Sequence, residues 1–137
     1  MAAGIPGRAA AARRAGGGGV TERIEGIDPA AVPSGEGCAD CLAGDGPGWW
    51  FHLRRCAECG QVGCCDSSPS RHARRHAREA AHPYVQSFEP GEEWFWSFPD
   101  EAFFEGPALA PPIAHPASQP VPGPAGAVPA DWQRRLN

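Results

Sequence analysis

All six cysteines of this 137-residue chain fall between Cys38 and Cys65, and His72, His76 and His82 follow closely. The spacing is Cys38-x2-Cys41, Cys56-x2-Cys59, then Cys64 and Cys65. A Cys-x2-Cys knuckle lets two thiolates reach one tetrahedral ion. One knuckle is a weak signal. Two knuckles followed by a further cysteine and three spaced histidines form a strong one. The inventory offers nine donors, and eight would close two sites. Mixed sulfur and nitrogen donors favour zinc over redox metals. Cys65 directly follows Cys64, and neighbours on an extended chain point to opposite faces, so it is read as a free thiol. His52 sits between Phe51 and Leu53 in an apolar run and is read as unliganded. The opening stretch MAAGIPGRAAAARRAGGGG has no apolar core of a secretory signal. The thiols are therefore expected in a reducing cytoplasm, where grouped Cys and His mean metal rather than disulfides.

Composition explains why such staples are needed. The chain has four Leu and four Ile, too few for a large core. No stretch approaches the roughly 18 apolar residues of a membrane span. Gly 18 and Pro 16 make up about a quarter of the chain, near the level of low-complexity sequence. Twelve basic residues, all Arg, together with abundant Ala, Gly and Pro, suggest a GC-rich bacterial genome. Residues 1–25 read as a disordered Ala/Gly/Arg tail, residues 107–137 as a Pro/Ala/Gly-rich disordered tail, and residues 26–106 as the folded domain, expected to be monomeric. Residues 38–105 hold every Cys and Phe, four of five His and four of five Trp.

Within that span, Trp49–Leu53, Pro83–Phe88 and Trp94–Phe98 read as strands, the last two joined by the turn Glu89-Pro90-Gly91-Glu92. Phe103-Phe104 reads as an edge strand. Residues 70–81 read as a helix, with Ser68 or Ser70 as its cap and Pro69 near its start. At about 100° per residue, Arg71, Arg74, Arg75 and Arg78 share one stripe, facing solvent. Ala73, Ala77 and Ala80 form the face that packs, and His72 and His76 lie at the boundary. The expected fold is a small zinc-stapled α+β domain with a short antiparallel sheet and one main helix.

The run CAECGQVGCCDSSP, then HARRH, then AHP, then FEPGEEW, resembles the UBP-type zinc finger over about residues 26–106. That family is the ubiquitin-tail-binding finger of deubiquitinases and of a cytoplasmic histone deacetylase, with small stand-alone bacterial members, which this chain resembles most. The resemblance implies an interleaved ligand set: Cys38, Cys41, Cys64 and His72 on one Zn2+, and Cys56, Cys59, His76 and His82 on a second. A third family site needs ligands where this chain has Phe95 and Phe98. The resemblance also implies a pocket for the free C-terminal Gly-Gly of ubiquitin, with Trp94 matching a pocket tryptophan. The family's carboxylate-gripping Arg falls at Asp66, and a carboxylate there repels a terminal carboxylate. Ubiquitin is therefore not expected as the partner.

Three function classes compete. A binding module suits Trp94 and Trp96, which share a strand face with Phe98 and would form an aromatic pocket for a peptide end or small ligand. Nucleic-acid binding through the Arg71/Arg74/Arg75/Arg78 face is the alternative. It is weakened by charge: residues 38–105 carry six Arg against eleven acids. Two zinc ions and five thiolates leave the finger near −6, with no long-range attraction for phosphate. Catalysis is not expected, because a catalytic zinc keeps an open position and eight ligands leave none.

Overall fold

The computed structural model describes residues 24–135. Helix α1 (Ala39–Leu42) precedes strands β1 (Leu53–Cys56) and β2 (Val62–Cys64); helix α2 (His72–Ala80) follows, then β3 (Tyr84–Ser87), β4 (Phe95–Ser97) and β5 (Ala102–Phe104). The strands form one sheet in the order β2-β1-β3-β4-β5. Every neighbouring pair is antiparallel. The fold is thus the expected α+β arrangement of a short antiparallel sheet with one main helix. The expected N-terminal tail, residues 1–25, lies outside the described residues except for Ile24 and Glu25.

Two strand readings need correction. The first strand begins at Leu53, not Trp49. Trp49, Trp50 and Phe51 are buried, but their backbone partners lie elsewhere. The Phe51 N–H donates to Ser68 Oγ at 2.9 Å, and Trp50 exchanges two hydrogen bonds with Gly123. Strand β2 has no counterpart in the sequence reading, because Val62-Gly63-Cys64 is too short and too Gly-broken to show alternation. Its glycine has a purpose: a Cβ on Gly63 would come within 2.7 Å of the Ala73 nitrogen, so α2 can lie directly on β2. Ala73 and Ala77 are buried on that helix face, as their spacing implied; Ala80, expected with them, is exposed at the last turn.

The helix caps also differ from expectation. Ser68 is buried and serves Phe51, and the residue preceding the helix is Arg71, with no side-chain cap. Arg71 and Ala81 flank α2 with φ of 52° and 58°, a region that costs a non-glycine residue roughly 1–2 kcal/mol. Each directly precedes a histidine of the candidate metal groups, His72 and His82.

The segment from residue 107 onward, expected as a solvated tail, is laid against the domain instead. It has little regular structure, as its composition implies, yet it is anchored. Leu109 is buried with Ile27, Ala57 and Phe95. The buried Arg55 guanidinium donates to the carbonyls of Ala110 (2.8 Å), Pro112 (3.0 Å) and, from the N-terminal side, Ala31 (2.8 Å). The buried His115 places Nε2 2.9 Å from Glu89 Oε1. Val128 and Trp132 pack on Trp49, Phe51 and Cys65. A few anchors hold a stretch whose average composition predicts solvation.

Candidate metal centres and aromatic cleft

The first group of donors draws on three elements. Cys38 caps α1 and Cys41 ends its first turn, Cys64 closes β2, and His72 opens α2. The sulfurs of Cys38, Cys41 and Cys64 lie 3.2, 3.3 and 3.5 Å from His72 Nδ1. All four residues are buried. The second group takes Cys56 from the end of β1, Cys59 from the knuckle, His76 one turn along α2, and His82 just beyond it. Cys56 Sγ is 3.4 Å from His82 Nδ1, and Cys59 Sγ is 3.3 Å from His76 Nε2. The knuckle turns at Gly60, where a Cβ would strike the Val32 carbonyl. In each group the donor atoms lie within 4.8 Å of one another. Zinc bonds of about 2.3 Å to sulfur and 2.0 Å to nitrogen give a tetrahedral S···N edge of about 3.5 Å.

The protonation chemistry fits a cation. One ring nitrogen of His72 faces three sulfurs, yet a single N–H serves only one. Hydrogen bonds from Cys41 and Cys64 hold the Cys38 thiol down at about 2. Making those bonds to Cys38 pushes Cys41 up and Cys64 up to about 12. Burial pushes Cys56 up to about 11. Three buried sulfurs therefore cannot all ionise without a positive partner, which Zn2+ supplies. Backbone N–H groups already point at them, from Cys41 to Cys38 (3.4 Å) and from His72 to Cys64 (3.3 Å). Burial, aided by His82, lowers the pKa of His76 and keeps its ring in the neutral form that ligates. The two groups could each hold one zinc. Cys65 stands outside both, its sulfur 3.4 Å from Ser68 Oγ. His52 also stands outside, half-exposed and 3.5 Å from Glu89 Oε1.

Asp66, Trp94 and Trp96 line one cleft of about 190 Å³ with Arg54, Cys65, Ala73, Val85, Phe98 and Phe103. Strand alternation sends Phe95 to the opposite face, into the cluster with Leu109. Phe103 stands edge-on to Trp94 (5.0 Å) and Trp96 (4.8 Å) and is 65% exposed. The Arg54 guanidinium lies 4.7 Å over the Trp94 ring, and Arg74 lies 5.3 Å over Phe98. Phe103 was expected only as an edge-strand residue, and Arg54 joins it at the cleft. The alternation of buried Arg55 with Arg54 along β1, and the cross-strand pairing of Trp96 with Phe103, are what place them.

The arginine face is open to solvent as expected, but two of its members are also paired. Arg74 pairs with Asp66 and Arg75 with Asp45 and Asp40. Arg71 and Arg78 are exposed.

The fold and its paired Cys/His groups define a small zinc-stapled finger. The family model described as a Zn-finger in ubiquitin-hydrolases and other proteins matches residues 38–109, and the chain belongs to that family. The solution NMR structure of protein RPA1320 from Rhodopseudomonas palustris is 38% identical, with a TM-score of 0.53, covering 75% of this chain and 97% of that one. No curated protein matches. Among the described residues no helix is long and apolar enough to cross a membrane.

Proposed function

We propose that this domain is a binding module that takes a peptide end or a comparably small ligand in the Trp94/Trp96 cleft. Zinc is its scaffold, not its reagent. The observation that carries this reading is the set of four partly exposed aromatic rings, Trp94, Trp96, Phe98 and Phe103, gathered around one cleft beside Arg54. A fold this small would hide such rings if they served only packing. The volume of about 190 Å³ is below the roughly 300–1,000 Å³ of sites for drug-sized ligands, and suits one or two side chains. Eight donors fill two tetrahedral positions and leave none for a reacting water, which argues against catalysis.

The ligand on this reading carries a neutral or basic group where ubiquitin carries its terminal carboxylate. Asp66 offers only acceptors at that place, and Arg74 is committed to it. The nucleic-acid alternative has less support, since two of the four helix arginines are tied to carboxylates. A library of short peptides with free and blocked ends, titrated against the zinc-loaded protein, tests the proposal. Binders should shift the Trp94 and Trp96 indole N–H signals. They should be lost in Trp94→Ala at unchanged zinc content. Binding that ignores Trp94→Ala, or a library without binders, overturns it.

A further inference from the structure

Each metal group leaves a histidine nitrogen pointing away from the sulfurs. His72 turns Nδ1 toward Cys38, Cys41 and Cys64. A neutral ring that ligates through Nδ1 must carry its proton on Nε2. That Nε2 is buried and has no hydrogen-bond partner among the described residues. An orphaned buried donor is costly. The carboxylate facing it belongs to Asp45, whose Oδ1 lies 3.7 Å away. The other oxygen of Asp45 accepts from Arg75 Nη2 at 2.5 Å. Asp45 is carried in by a turn between Gly44 and Gly46, both at positive φ. The second group has a similar arrangement in a more exposed setting: His82 turns Nδ1 to Cys56, and its Nε2 lies 3.8 Å from Glu58 Oε2. Glu58 sits inside the Cys56-x2-Cys59 knuckle.

We propose that Asp45 and Glu58 are positioning residues for the two metal groups. Each carboxylate accepts the outer N–H of the ligating histidine, fixing the tautomer and the ring plane. Movements of about 0.8 Å for Asp45 and about 0.9 Å for Glu58 bring the pairs to the charge-assisted distance of about 2.9 Å. The proposal rests on the zinc assignment, which metal content of the unaltered chain tests separately. Arg75 has a distinct part: it orients the Asp45 carboxylate by pairing with its Oδ2.

The experiment uses the full chain and the variants Asp45→Ala, Asp45→Asn, Glu58→Ala and Arg75→Gln. Chelator competition gives the affinity of each group. Cobalt in place of zinc tells the groups apart, because three sulfurs with one nitrogen absorb differently from two with two. Asp45→Ala should weaken the first group about 10–100-fold and leave the second unchanged; Glu58→Ala should do the reverse. Arg75→Gln, which leaves the carboxylate in place, should cost less than Asp45→Ala. A long-range nitrogen–proton spectrum should show a slowly exchanging His72 Nε2–H in the unaltered protein and rapid exchange in Asp45→Ala. Asp45→Asn, which keeps an acceptor and the side-chain volume, should fall between. Equal weakening of both groups by one variant, unchanged affinities, or unchanged exchange at His72 would overturn the proposal.

Discussion

Arg74 grips Asp66 with two donors: Nη2 reaches Oδ2 at 2.6 Å, and Nε lies 3.1 and 3.0 Å from the two oxygens. The pair stands at the rim of the aromatic cleft, with both side chains more than 40% exposed. At such exposure an ion pair contributes about 0–1 kcal/mol. Its weight lies in what it does to the cleft: it neutralises Asp66 and removes Arg74 from the search for an anion. A missing charge-assisted bond costs about 2 kcal/mol, roughly a thirtyfold weaker hold on a free Gly-Gly tail. Titration calorimetry with ubiquitin should give no micromolar isotherm. Asp66→Arg should raise the affinity. A micromolar isotherm lost in Trp94→Ala would refute the expectation.

Elemental analysis of protein purified without chelator should return two zinc ions per chain. A value near one would leave the half-exposed second group without its ion. Structural zinc contributes on the order of 10 kcal/mol in small fingers, so complete chelation should abolish the near-ultraviolet dichroism of the tryptophans. Cys64→Ala should lose the first ion and the fold with it. Cys65→Ala should keep both ions, since Cys65 stands outside both donor groups, its sulfur 3.4 Å from Ser68 Oγ.

Glu89 connects the β3–β4 turn to the C-terminal segment. Burial pushes its carboxyl up, but hydrogen bonds from His52, His115 and the Leu53 N–H outweigh burial and hold it at about 2, below the ordinary 4.5. The folded value lies below the unfolded one, so the contribution is complete above pH 4.5 and fades as pH falls toward 2. Urea unfolding of zinc-loaded protein should show Glu89→Gln less stable near neutrality. The gap should narrow in acid as the native carboxylate takes up its proton. Thiolate protonation acts on both proteins and cancels in the difference. A gap that stays constant down to the acid transition would contradict this.

Truncation after Gly106 removes Leu109 from the Ile27/Phe95 cluster and leaves the buried Arg55 without two of its carbonyls. The shortened chain should unfold at markedly lower urea. Leu109→Ala alone should cost about 2–4 kcal/mol. A truncated protein as stable as the full chain would mean that the anchors contribute nothing.

The metal donors were legible because their chemistry is written in spacing: Cys-x2-Cys and helical His72/His76 need no tertiary knowledge. Alternation likewise separated Trp94 and Trp96 from Phe95. The rest depends on partners remote in the chain. Trp49–Phe51 looks like a strand until Gly123 and Ser68 claim its backbone groups. Leu109 and His115 lie in a Pro/Ala-rich average that hides them, and the acceptors of Arg55 lie 24, 55 and 57 residues away. Arg74 appeared as solvated charge because helical angle says nothing of Asp66, eight residues earlier in the loop before α2.

The order of donors along the chain has a consequence for assembly. Closing the first group joins residues 34 apart, Cys38 to His72. The loop so formed contains Cys56 and Cys59, and one turn of α2 carries His76 toward them. The first ion captured thus shortens the conformational search of the second, since loop-closure entropy is already met. The two loops overlap in the chain: Cys38 to His72 encloses Cys56 and Cys59, and Cys56 to His82 encloses Cys64 and His72. A proteolytic nick between Leu42 and Trp49 would leave the two fragments joined through the first ion, which takes Cys38 and Cys41 from one and Cys64 and His72 from the other.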